Sequence, residues 1–241
     1  MCLRGKLKMR GLIVVLAWLC VAPALSQTYY PSGPQKGVAL STVTGGGWSI
    51  CSQTLYSATL REYPAACPQA GSADKVMLAC RATGSATIQL LAAAPASDVL
   101  TDTGNTSTAT HSANGSEWYY DMVDGGGDYA MGFAKGGDSV RAISCDTLSD
   151  GANDERLCFH MFETADQGGY RCGATQDLNT SGAFERLYLM SDADGDGVAD
   201  SRDAYPSDAS RSAVVTPTLP LFGLLALVGL LGLFGSRKLR Q

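Results

Sequence analysis

Six cysteines constrain what this chain can fold into more than any other feature: Cys51, Cys67, Cys80, Cys145, Cys158 and Cys172. The other two, Cys2 and Cys20, fall in a segment with the parts of a secretory signal peptide. Arg4, Lys6, Lys8 and Arg10 make a basic start, Gly11 to Val21 is apolar, and Ala22-Pro23-Ala24-Leu25-Ser26 follows with small residues. Ala24 and Ser26 place a cut before Gln27, whereas Ala22 and Ala24 place it before Leu25. A lipoprotein cut at Cys20 is the alternative, with bulky Leu19 where a small residue belongs. The apolar run is short for a retained span. In an oxidising compartment an even set of cysteines reads as disulfides, with 15 pairings open to six. A metal cluster is the rival reading, but no Cys-x-x-Cys occurs and only His111 and His160 could add imidazole ligands. Three of the cysteines lie early in the domain and three late. If all six pair, at least one bridge joins the halves and closes over at least 64 residues (145 − 80 − 1).

Export changes the charge balance. Losing four basic residues takes Lys+Arg from 18 to 14 against 23 Asp+Glu, a net charge near −9. An acidic surface excludes a nucleic-acid partner, which needs a basic face. The remaining 215 residues (241 − 26) suffice for one domain with appendages.

Between Trp48 and Met190, short apolar runs alternate with Gly, Asn, Asp and Ser clusters. The clearest are Val76 to Cys80, Thr87 to Leu91, Glu117 to Tyr120, Tyr129 to Phe133, Arg156 to Phe162 and Phe184 to Met190. Period-two alternation places Leu157, Phe159 and Met161 on one face and Cys158, His160 and Phe162 on the other. No stretch of twelve residues keeps a helical stripe, and glycine runs such as Gly45-Gly46-Gly47 and Gly125-Gly126-Gly127 mark turns. The expected fold is mostly β, a disulfide-braced sandwich or irregular barrel. No motif here names a family.

Chemistry in this domain has two candidate sources. His160 with Asp154, Glu155 or Ser139 could form a nucleophilic triad, though no Gly-x-Ser-x-Gly elbow accompanies them. The carboxylates Asp146, Asp150, Asp154 and Glu155 could act as a glycosidase pair, or line a solvated acidic loop. Recognition has its own candidates in Trp118, Tyr119 and Tyr120, since three consecutive rings point at least one away from a core. Such a ring stacks on a glycan or anchors a surface-protein ligand. Asn105, Asn114 and Asn179 begin glycosylation sequons, chance matches in a bacterial chain.

The segment Asp192-Ala193-Asp194-Gly195-Asp196-Gly197-Val198-Ala199-Asp200-Ser201-Arg202-Asp203 puts carboxylates at loop positions one, three, five, nine and twelve. Calcium takes six to eight oxygens, and alternating acids in a tight turn aim successive carboxylates inward. Gly197 permits the bend and the Val198 carbonyl fills the seventh position. Through Asp208 the segment resembles a thrombospondin type 3 repeat in its bacterial form. That resemblance implies Ca2+ held by Asp192, Asp194, Asp196, Asp200 and Asp203. Such repeats come in arrays, whereas one copy stands here, without the cysteine of many animal copies.

Residues 218–236 carry no charge and are rich in Leu, and Arg237, Lys238 and Arg240 follow. Length and basic end predict a transmembrane helix with a cytoplasmic stub. The tail resembles C-terminal sorting tails processed by exosortase-type enzymes of Gram-negative bacteria. Pro217-Thr218-Leu219 matches the Ile-Pro-Thr-Leu subclass with Thr216 in place of its Ile, and Phe222-Gly223 stands where Trp-Gly is common. This implies cleavage near Pro217 and transfer to the cell surface or matrix; a permanent single-span anchor is the alternative.

The expected order is therefore signal peptide 1–26, N-terminal extension 27–47, disulfide-rich β domain 48–190, calcium repeat 191–208, linker 209–217, membrane or sorting helix 218–236 and basic stub 237–241. The function expected is a membrane-tethered or surface-sorted, calcium-binding, non-enzymatic adhesion module. A carbohydrate-active surface hydrolase and a purely structural envelope component are the competing classes.

Overall fold

The computed structural model describes residues 29–59, 63–104, 108–121, 130–142, 145–148, 154–160 and 169–211. The expected signal peptide, the apolar tail with its basic stub, Asp150 and Asn105 lie outside these residues. Among the described residues no helix is long and apolar enough to cross a membrane.

Among the described residues ten strands form two antiparallel five-stranded sheets. The first contains β1 (Gln35–Ala39), β2 (Trp48–Leu55), β3 (Lys75–Ala82), β4 (Thr87–Pro95) and β10 (Phe184–Ser191), in the order β1-β4-β3-β10-β2. The second is a meander of β5 (His111–Ala113), β6 (Ser116–Tyr120), β7 (Ala130–Lys135), β8 (Leu157–His160) and β9 (Gly169–Cys172). Among the described residues helix is confined to two single turns, α1 (Leu40–Thr44) and α2 (Ala96–Val99). The expected mostly β, disulfide-braced class is what the chain adopts. Its first strand precedes Trp48: β1 pairs antiparallel with β4, from Gln35 opposite Leu91 to Ala39 opposite Thr87.

Alternation along the strands explains the core. Val76, Leu78 and Cys80 of β3 and Tyr188 of β10 meet Trp118, Met131, Phe133, Leu157 and Phe159 of the second sheet in one buried cluster. The opposite face of the first sheet is also covered: Met77, Ala79, Leu187 and Leu189 pack with Val43 and Trp48. The outer face of the second sheet buries Tyr119, Ala130, Ala134 and Cys158 under Val140, Ala142 and Cys145. With both faces of both sheets covered, strands read as continuous apolar runs. Gly132 marks the tightest approach, since a Cβ there would lie 2.0 Å from the Leu157 carbonyl oxygen.

All six cysteines pair: Cys51–Cys67, Cys80–Cys172 and Cys145–Cys158. The early–late counting argument is met by a single long bridge, Cys80–Cys172, which ties β3 of one sheet to β9 of the other across 92 positions.

Candidate metal centre and the fate of the acidic loops

The aspartate loop leaves the end of β10 and folds back on the edge of the first sheet. The Asp192 amide donates to the Gly47 carbonyl at 3.1 Å, and the Asp200 amide to the Ser191 carbonyl at 3.2 Å. The Lys75 amide donates to Ser191 Oγ at 3.1 Å. Asp74, just ahead of β3, accepts from the Ser201 amide at 2.9 Å and from its hydroxyl at 2.5 Å. These bonds seat the loop where β2 and β3 begin and β10 ends.

Within the loop Asp192, Asp194 and Asp196 brace the backbone after them. Asp192, 1 % exposed, accepts from the Gly195 amide through Oδ1 and the Gly197 amide through Oδ2. Asp194 Oδ1 accepts from the Asp196 amide at 3.2 Å, and Asp196 Oδ1 from the Val198 amide at 2.8 Å. Gly195 and Gly197 have φ of +78° and +91°, with open space where a Cβ would stand. Conformation and not crowding requires glycine at both.

The result is a carboxylate triad. Oxygens of Asp192, Asp194 and Asp196 lie within 4.8 Å of one another. Asp194 Oδ2, Asp196 Oδ2 and Asp203 Oδ2 are buried and meet no hydrogen-bond donor. Buried carboxylate oxygens left without donors are costly unless a cation meets them. Oxygen-only donors fit a hard divalent cation such as Ca2+. Burial, followed by the Asp196 and Asp192 charges, raises the Asp194 carboxyl above its ordinary value despite amide donors from Asp196 and Asp208. Burial, then Asp192 and Asp74, raises Asp200 against the opposing Ala193 amide and Lys75.

Of the six ligands expected here, the structure brings Asp192, Asp194 and Asp196 into the triad. Asp200 spends Oδ1 on the Ala193 amide at 2.7 Å, and Asp203 Oδ1 accepts from the Tyr205 amide at 2.8 Å. Val198 is fixed through its amide by Asp196. Asp74 and Ser201 were not legible as part of this centre, because 127 positions separate them.

The other acidic loop has a different role. Asp146 is fully buried, binds Arg156 Nη1 at 2.7 Å and accepts from the Arg141 amide at 3.0 Å. Asp154 binds Arg171 Nη2 at 2.7 Å, while Arg171 Nη1 donates to the Asp146 and Leu148 carbonyls. Glu155 pairs with Lys135 at 3.5 Å. These carboxylates balance two fully buried arginines. Ser139 contributes its carbonyl to Arg156, and the His160 ring lies 5.2 Å from that of Tyr170. The second histidine, His111, bonds Asp98 through Nε2 at 2.7 Å.

The aromatic run is also internal. Trp118 faces the inter-sheet core and Tyr119 the outer cluster, each 1 % exposed, and Tyr120 packs against the core half-buried. The expectation that one of these rings points away from a core fails because the second sheet is covered on both faces. Asn114 uses its side-chain amide on the Pro31 and Ala93 carbonyls, both at 2.8 Å.

No protein-family model, curated protein or solved structure matches this chain.

Proposed function

We propose that this chain is an exported calcium-binding protein in which one Ca2+ rigidifies the junction between a β domain and its C-terminal tether. The observation that carries the proposal is the Asp192–Asp194–Asp196 triad, whose Asp194 and Asp196 each keep one buried oxygen without a donor. Asp203, with its own bare buried oxygen, is the further ligand candidate in the loop. The middle domain serves as a non-enzymatic binding or adhesion module, displayed outside the cell. The uncharged stretch 218–236 with its basic end holds it in the membrane, or an exosortase-type enzyme removes that stretch and transfers the domain to the surface.

A calcium bound here does more than decorate a linker. The loop is bonded to Gly47, Asp74 and Ser191, so ordering it also fixes the ends of β2, β3 and β10. The commitment of Asp146 and Asp154 to buried arginines supports binding over hydrolysis as the role of the domain. Isothermal titration of the full exported chain tests the metal reading. Wild type takes up about one Ca2+, and Asp194→Ala with Asp196→Ala abolishes the heat. Equal heats from both proteins, or none from wild type, would reduce the loop to an acidic linker.

A further inference from the structure

Among the described residues four arginines are buried in the two sheets and the loop beside them, and three have carboxylates. Arg81 pairs with Glu185, Arg156 with Asp146 and Asp138, and Arg171 with Asp154. Arg186 does not follow the pattern. It sits on β10 between Thr54 of β2 and Cys80 of β3, fully buried. Its Nε donates to Thr54 Oγ1 at 3.1 Å and one Nη2 hydrogen to the Ala58 carbonyl at 2.7 Å. Among the described residues its Nη1 meets no acceptor.

Two further polar atoms beside it are in the same condition. Tyr188 shares the inward face of β10 with Arg186, and its hydroxyl has no partner. Tyr63 meets Tyr188 edge to face with ring centroids 5.7 Å apart, and its hydroxyl has none either. Guanidinium hydrogens can only donate, and a buried cation without a counter-charge is strongly disfavoured. Burial also pushes both phenols far above their ordinary value, so at neutral pH they keep their protons and remain donors. Burial presses the Arg186 guanidinium downward, against an opposing influence of Tyr188 and Tyr56.

We propose that Arg186, Tyr188 and Tyr63 form an internal binding site for a small oxyanion, a carboxylate or a phosphate group, between the two sheets. One guanidinium edge and two hydroxyls supply donors of a kind that such a group satisfies, and the anion supplies the charge that Arg186 lacks. Tyr63, 6 % exposed, is the member nearest solvent and marks the side of entry. The site is independent of the aspartate loop, which offers acceptors where this one offers donors.

The test is the melting temperature of the full, disulfide-intact chain, with sodium acetate or sodium phosphate titrated at constant ionic strength set with sodium chloride. Wild type shows a saturable rise with at least one of the two. Acetate alone assigns a carboxylate ligand, phosphate alone a phosphate ligand, and either supports the site. Tyr63→Phe and Tyr188→Phe keep the rings and lose one donor each, so each needs about tenfold more anion for the same rise. A wild type indifferent to both anions overturns the proposal. So does an equal response from the Tyr63→Phe, Tyr188→Phe double variant, which would make the effect one of salt on the surface.

Discussion

Replacing Cys80 and Cys172 by alanine should cost this protein more stability than removing either other bridge. The chain-entropy relation for a cross-link depends on the logarithm of loop length. For the 92-position separation of Cys80 and Cys172 it gives about 4.6 kcal/mol at room temperature. For the 13-position separation of Cys145 and Cys158 it gives about 3 kcal/mol. All four sulfurs are on fully buried residues, so the packing lost with each pair is comparable and largely cancels in the difference. The Cys80–Cys172 pair is also the bridge that holds β3 against β9, so its loss frees one sheet from the other in the unfolded chain. The expected excess is about 1.5 kcal/mol. Guanidinium unfolding of Cys80→Ala/Cys172→Ala and Cys145→Ala/Cys158→Ala, followed by the fluorescence of buried Trp48 and Trp118, measures it after extrapolation to water. Equal losses, or a larger loss from the Cys145–Cys158 variant, would refute the reasoning and point to residual structure in the unfolded state.

Two further predictions concern buried charge. Asp146→Asn keeps size and suits the left-handed backbone there (φ 50°), yet removes the fully buried counter-charge of Arg156 and leaves it Asp138 at 3.3 Å; thermal unfolding should show a loss of about 3 kcal/mol, and a loss under about 1 kcal/mol contradicts the pairing. Burial works to raise the Glu185 carboxyl, but bonds from Arg81, the Gly84 amide and Gln53 outweigh it and hold it below its ordinary value. Its contribution to stability is therefore full above the unfolded carboxyl value of about 4.3 and is lost as pH falls through the lower folded value. Melting temperatures from pH 7 downward should fall less steeply for Glu185→Gln than for wild type; identical slopes would remove Glu185 from the acid response.

Much of the fold was legible because its strands are buried on both faces. Runs such as Val76 to Cys80 and Phe184 to Met190 stand out by apolarity, and they became β3 and β10. β1 was not legible: Gln35-Lys36-Gly37-Val38-Ala39 is a half-exposed edge strand whose identity comes from pairing with β4, some fifty positions on. The arginines were the larger omission. Arg171 between Tyr170 and Cys172, and Arg186 between Glu185 and Leu187, occupy strand positions that period-two reading assigns to one face or the other without saying what meets them. Their partners, Asp154 and the Ala58 carbonyl, come from distant loops, and this is also why Asp146 and Asp154 read as candidate catalytic acids. The turn of the aspartate loop is local: Asp192, Asp194 and Asp196 each hold an amide two to five positions on, whereas Asp200 reaches back seven positions to the Ala193 amide. Its attachment through Asp74 is long-range and left no mark on the pattern.

Because the aspartate loop is bonded to the β domain, Ca2+ bound in it should stabilise the domain itself. The most direct measurement is the global unfolding transition of the full chain, read from the near-ultraviolet signal of Trp48 and Trp118, in calcium and in chelator. At calcium about 100 times its dissociation constant, linkage predicts a gain of roughly 2.7 kcal/mol in the unfolding of the whole domain. Asp194→Ala with Asp196→Ala should melt identically in both solutions. An unshifted wild-type transition, or an equal shift in the double variant, would contradict the claim.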